Sequence, residues 1–128
     1  MKKFLLIDDE EIFNFIQGEV IHNLDPEDEI ETYSSAIEAL EYLRDCISKG
    51  ENWPDFILLD IRMPEMNGFE FLESLKEFDS SNFAHTKIYM LSSSLDEKDV
   101  KKALSYTIVK GFKEKPLSDS VLLEIKTT

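Results

Sequence analysis

Sulfur chemistry is nearly absent from this chain: of 128 residues one is cysteine, Cys46. A lone thiol cannot close an internal disulfide. The spacing of Ala36, Ala39, Leu40, Leu43, Cys46 and Ile47 sets it on the apolar face of a helix, where it packs rather than reacts. Basic residues are scarce as well. Fourteen Lys and Arg stand against 27 Asp and Glu, a net charge of −13, which excludes a surface built to displace the counterions of nucleic acid. No apolar stretch approaches the length of a membrane span. The opening Met1-Lys2-Lys3-Phe4-Leu5-Leu6-Ile7 is too short an apolar run for a secretory leader and passes straight into Asp8-Asp9-Glu10-Glu11, so a cytoplasmic location is expected. The two histidines, His22 and His85, fall in no metal-ligand spacing. Repeats and low-complexity segments are missing too. With 42% hydrophobic residues the chain can bury a core for one domain over residues 1–128, with no room for a second.

What is there is a set of short apolar runs that end in polar groups. Phe4-Leu5-Leu6-Ile7 runs into Asp8-Asp9, Phe56-Ile57-Leu58-Leu59 into Asp60, and Ile88-Tyr89-Met90-Leu91 into Ser92. Continuous apolar runs of this length read as strands buried on both faces, as in parallel sheets covered by helices. Between them, Ile12, Ile16, Val20 and Leu24 recur every four residues and predict a first helix of about 14 residues, ended by Asp25-Pro26. Glu29–Tyr33 reads as a polar strand at an edge. Ser35 with Glu38 forms a capping box for a second helix, which Gly50 closes. Phe69, Leu72 and Leu75 mark a third helix, followed by a polar loop from Asp79 to Thr86. Ser94 with Glu97 predicts a fourth helix running through Tyr106. A fifth strand lies near Gly111–Glu114, and Val121, Leu122 and Ile125 suggest a last helix. Trp53, before Pro54, is expected to anchor packing. Five strand–helix units joined by right-handed crossovers make an α/β, doubly wound parallel sheet with helices on both faces.

In such sheets ligands bind at the strands' carboxyl ends. Neighbouring strands are only ~5 Å apart, so Asp8, Asp9 and Asp60 converge. Acidic residues after the first strand would alone read as a helix cap. Their pairing with a third strand-end carboxylate points instead to a cation, and an all-oxygen site with open positions suits Mg²⁺. Asp60 leads into Ile61-Arg62-Met63-Pro64-Glu65-Met66-Asn67-Gly68, where Pro64 and Gly68 punctuate a turn. Lys115-Pro116 ends the fifth strand, and that X–Pro bond is a candidate for the cis form. From composition alone Lys115 reads as a solvated charge. Together with Ser92 it completes a set: carboxylate nucleophile, divalent metal, fixed cation and hydroxyl donor.

This ordered set resembles the receiver domain of two-component response regulators, from Phe4 to about Ile125. Asp8-Asp9 is similar to the family's acidic metal pair, Asp60 to its phosphoacceptor, and Met63–Gly68 to the loop that follows. Ser92 matches the hydroxyl switch residue, Lys115-Pro116 the family's Lys-Pro pair, and Phe112 the switch aromatic. The resemblance implies a flavodoxin-like five-stranded sheet of order 2-1-3-4-5. It also implies a phosphoryl group taken from a histidine kinase or a histidine phosphotransfer protein onto Asp60. Mg²⁺ would be held by Asp9, Asp60 and the backbone carbonyl of Arg62, with Asp8 acting through water. Lys115 would bind a phosphoryl oxygen, while Ser92 and Phe112 reshape the face of the fourth helix, fifth strand and fifth helix. Such a protein is a signalling switch that promotes only its own phosphorylation and slow dephosphorylation. It controls a downstream protein partner or passes phosphate on, and a homodimer stays open.

Two further expectations concern this sequence in particular. Arg62 and Ser94 stand two residues after Asp60 and Ser92, positions that in this family flank the path of hydrolytic water. Neither side chain orients water well, so a long-lived phosphoryl group is expected. Residues 98–115 carry six Lys against Asp99 and Glu114, +4 on a chain whose remainder is −17. That stretch suits an acidic partner segment, or else simply solvates a helix face. Competing classes fit less well. A haloacid-dehalogenase-like phosphatase needs a second Asp where Arg62 stands, and a flavodoxin-type FMN site needs a Ser/Thr/Gly-rich loop after the first strand.

Overall fold

The computed structural model describes all residues from Met1 to Thr128. Five strands, β1 (Lys3–Ile7), β2 (Glu29–Tyr33), β3 (Phe56–Asp60), β4 (Lys87–Ser92) and β5 (Val109–Glu114), alternate with five helices. These are α1 (Glu11–Leu24), α2 (Ala36–Ser48), α3 (Gly68–Leu75), α4 (Glu97–Leu104) and α5 (Asp119–Thr127). All strand pairs are parallel and the order is β2-β1-β3-β4-β5. No helix is long and apolar enough to cross a membrane.

The apolar runs are continuous because each of β1, β3 and β4 feeds two cores. Leu5, Ile7, Ile57, Leu59, Ile88 and Met90 face one side, where α2, α3 and Ala103 of α4 cover them. Their neighbours Phe4, Leu6, Phe56, Leu58, Tyr89 and Leu91 face the other, beneath Ile21 of α1 and Leu122 and Ile125 of α5. A period of two with both faces buried leaves no polar alternation. The edge strand β2 is half exposed along its length, which is why it tolerates Glu29 and Glu31. Trp53 is an anchor: its Nε1 donates to Leu43 O at 3.1 Å and its ring meets Phe78 and Phe83.

Several local expectations are corrected. In α1 the bounds agree, but the helix is turned so that Ile12 (76% exposed) and Ile16 (48%) face out, while Asn14, Gln17 and Ile21 face in. The polar pair is accommodated because both side chains bond backbone groups. Asn14 Nδ2 donates to Asp8 O (2.9 Å) and Tyr33 O (3.3 Å), and Gln17 bonds Leu117. In α2, Cys46 is buried as expected, whereas Ile47 lies at the exposed margin. Ser35 accepts from Glu38 N at 3.4 Å, half of the expected box, and Gly50 closes the helix at φ +69°. The full capping box belongs to α3, where Asn67 and Glu70 bond each other's backbone N–H. The Asp79–Thr86 loop contains a 3-10 turn, Ser80–Phe83. α4 starts later and stops earlier than expected: Asp96, not Ser94, is its cap, accepting from Lys98 N at 2.9 Å. A carboxylate beside the first turn complements the helix dipole better than a hydroxyl. β5 begins two residues earlier, at the buried Val109.

Candidate functional site

The carboxyl ends of β1, β3, β4 and β5 meet at one rim, and each delivers a polar side chain there. Asp8 follows β1, Asp60 ends β3, Ser92 ends β4 and Lys115 follows β5. One carboxylate oxygen from each of Asp8, Asp9 and Asp60 falls within 4.8 Å of the others, with Asp8 and Asp60 buried and Asp9 exposed. Lys115 reaches across them. Its Nζ donates to Asp8 Oδ2 at 2.8 Å and Asp60 Oδ1 at 3.3 Å, and lies 3.7 Å from Glu10 Oε1. The ammonium also sits over the ring of Phe13, 4.7 Å from its centroid. The backbone places it: Lys115 N donates to Ser92 O at 2.9 Å, continuing the β4–β5 ladder one step past the strand.

The loop after Asp60 folds tightly back. Gly68 N donates to Ile61 O at 2.8 Å, and Glu65 takes φ +66° in the turn between them. Gly68 is required by space. A Cβ there would lie 2.5 Å from Asp60 O and 2.9 Å from Met90 Cε, closer than any side chain allows. The Lys115–Pro116 peptide is cis, as anticipated.

Electrostatics follow from burial and crowding. Burial, then the charge of Asp8, push the Asp60 carboxyl up to about 6, although Lys115 pulls the other way. For Lys115 burial alone would lower the ammonium, but the hydrogen bond to Asp8 and the charges of Asp60 and Asp8 outweigh it and hold it above its usual value. One ammonium against three carboxylates leaves the cluster negative. Three hard oxygen donors with an open, exposed side at Asp9 fit Mg²⁺. Asp8 already has both oxygens engaged, Oδ1 by Glu10 N (2.9 Å) and Oδ2 by Lys115.

The remaining expected residues lie around this cluster. Ser92 is half-buried, and its Oγ accepts from Ser94 N at 3.3 Å. Phe112 pairs in register with Met90 and packs, half-buried, on the α2–α3 side of the sheet. The Arg62 side chain turns to α4, where its guanidinium bonds Asp99 at 2.9 Å. Much of the Lys-rich stretch is engaged locally: Lys101 lies 3.7 Å from Glu97, Lys113 lies 3.8 Å from Glu124, and Lys102 sits over the Phe69 ring. Phe13, Asn14 and Gln17 were not anticipated at the site, because nothing in their spacing sets them apart from an ordinary helix.

A family model for the response regulator receiver domain matches residues 4–126. The chain belongs to the response regulator receiver family. This receiver is 32% identical to the chemotaxis protein CheY of Halobacterium salinarum, over 94% of this chain and 93% of that protein. It is 31% identical to hybrid signal transduction histidine kinase B of Dictyostelium discoideum over 96% of its own length, but spans only 6% of that kinase. Among solved structures, a two-component response regulator from Cytophaga hutchinsonii superposes with a TM-score of 0.90 at 32% identity, covering 98% of this chain and 93% of the other. The receiver is thus a CheY-like signalling domain of a two-component system, with the five-stranded flavodoxin-like sheet of that family.

Proposed function

We propose that this receiver takes a phosphoryl group from a histidine kinase or a histidine phosphotransfer protein onto Asp60. The observation that carries the reading is the Asp60 carboxylate at the end of β3, 3.3 Å from Lys115 and clustered with Asp8 and Asp9. An Asp60 oxygen attacks phosphorus in line, the phosphorus–nitrogen bond of the donor phosphohistidine breaks, and the leaving imidazole keeps the electron pair. Asp60 must be ionised to attack, and the neighbouring ammonium of Lys115 favours that form. Mg²⁺, for which Asp9, Asp60 and the Arg62 carbonyl are the proposed ligands, supplies neutralising charge for the phosphoryl oxygens when bound. Asp8, occupied by Glu10 N and Lys115, is suited to act on that ion through water.

Once the acyl phosphate forms, Lys115 exchanges its contact with Asp60 for one with a phosphoryl oxygen. Ser92 Oγ accepts one hydrogen bond from Ser94 N, which leaves its own proton free to donate to another phosphoryl oxygen. That pull draws the loop after β4 inward, and Phe112 turns into the space vacated. The face of α4, β5 and α5 then changes and alters binding of a downstream protein, or phosphate passes onward. On this reading residues 1–128 form one receiver domain working in the cytoplasm, a switch rather than an enzyme with metabolic turnover.

Intact mass after incubation with acetyl phosphate and Mg²⁺ tests it. One added phosphoryl group is expected on the unaltered chain and none on Asp60→Asn. Turnover of a phosphate ester without a covalent adduct would replace this reading with a phosphatase.

A further inference from the structure

Gln17 is fully buried on the inner face of α1. A buried amide is costly there unless both its ends are bonded. Both are bonded to one residue: Gln17 Oε1 accepts from Leu117 N at 2.8 Å, and Gln17 Nε2 donates to Leu117 O at 3.3 Å. Leu117 is two residues beyond Lys115, whose own N–H is held by Ser92 O. The segment that carries Lys115 is therefore pinned on both sides, to β4 before it and to α1 after it.

The same helix reaches the rest of the ion pair. Phe13, one turn before Gln17, lies under the Lys115 ammonium, where the negative face of its ring attracts the cation. Asn14, beside it, holds the carbonyl of Asp8, the carboxylate that Lys115 bonds at 2.8 Å. Three successive inward positions of α1 thus act on Lys115, Asp8 and the backbone that follows Lys115.

We infer that Gln17 is a positioning residue for Lys115, assisted by Phe13, and that α1 in this way sets the rate at which the receiver takes up its phosphoryl group. This inference rests on the proposed phosphoacceptor role of Asp60. Gln17 touches no reacting atom. It fixes the loop so that the ammonium stands where phosphoryl charge develops, and displacements near 1 Å at such a place cost up to about a hundredfold in rate.

The experiment is a double-mutant cycle on labelling of the full chain by acetyl phosphate with Mg²⁺, followed by intact mass. Gln17→Leu is expected to lower the rate at saturating donor about tenfold while Mg²⁺ affinity, measured by calorimetry, stays within about twofold. In a Lys115→Ala background the same substitution should change the rate by less than about twofold, because the residue it positions is gone. Affinity for beryllofluoride, a phosphoryl mimic, provides the same cycle where labelling of Lys115→Ala is too slow to measure. Should Gln17→Leu fail to fold, Phe13→Leu takes its place, with Phe13→Tyr restoring the rate because it keeps the ring. Equal factors in both backgrounds, or an unchanged rate in the single variant, would overturn the inference while leaving Asp60 as acceptor. A wild-type chain that gains no phosphoryl group at Asp60 would remove the underlying reading and the inference with it.

Discussion

Helices α1 and α2 are nearly equal in length, 14 and 13 residues, yet they spend their inner faces differently. α2 turns Ala36, Ala39, Leu40, Leu43 and Cys46 inward, a wholly apolar stripe. α1 turns Asn14, Gln17 and Ile21 inward and leaves Ile12, Phe15 and Ile16 in solvent. The first helix borders the acidic cluster; the second closes a core. Apolar burial holds α2 without regard to small shifts, whereas directional bonds to Asp8, Tyr33 and Leu117 hold α1 at one rotation.

The sharpest way to break this division is to damage α2 and watch the chemistry. Leu43→Ala, at a fully buried site, should cost roughly 2–5 kcal/mol in urea unfolding. The labelling rate of the folded fraction should stay as it was, and a slowed rate would mean that the core helix also tunes the site.

Next in size is the effect of Asp60. Its carboxyl is raised to about 6 in the folded chain, so between the ordinary value of 3.8 and 6 the folded state binds the proton more tightly than the unfolded one. Stability from this group is present below that window and is lost as pH rises through it. Without metal, Asp60→Asn should therefore stabilise the chain at pH 7.5 by roughly 1–2 kcal/mol, allowing for solvent screening. The gain should shrink toward zero near pH 4, and a gain of equal size at both pH values would show that packing rather than charge is responsible. Lys115 carries the same sign in a different pH range: its raised ammonium stabilises the fold below its ordinary value of 10.5, and that contribution is lost as pH climbs above it.

Smaller effects sharpen the account of α1 itself. A Cβ on Gly18 would meet only Ile30 Cγ2, at 3.9 Å, so Gly18→Ala should raise stability by roughly 0.5–1 kcal/mol through helix propensity. Ile12→Lys should change unfolding by less than about 0.5 kcal/mol, because that side chain is already in water. A loss of several times that size would return Ile12 to the core-facing stripe that its spacing suggests.

β1, β3 and β4 were legible in the sequence because burial on both faces writes itself as an unbroken apolar run. The residues at their ends followed, and Asp8, Asp9, Asp60 and Lys115 do meet in one cluster. The rotation of α1 was not legible, since hydrophobic periodicity assumes that the inward face is apolar. Asn14 and Gln17 defeat that assumption by bonding backbone groups far away in the chain, Gln17 to a residue 100 positions distant. The start of α4 was hidden for another reason. Only Ala103 of that helix is buried, so apolar spacing carries almost no information there, and Ser94 and Asp96 compete as caps.

That same thinness of α4 has an energetic consequence. Besides Ala103, the Arg62–Asp99 pair and the Lys102–Phe69 contact tie it to its surroundings, and both are surface interactions worth about 1 kcal/mol or less each. Elements with few buried contacts open far below the global unfolding free energy. In hydrogen exchange α4 would therefore lose its amide protons well before β3, whose five residues are all buried. An element so lightly held is displaced by a perturbation of only a few kcal/mol, the scale of one new charge a short distance away at the end of β3.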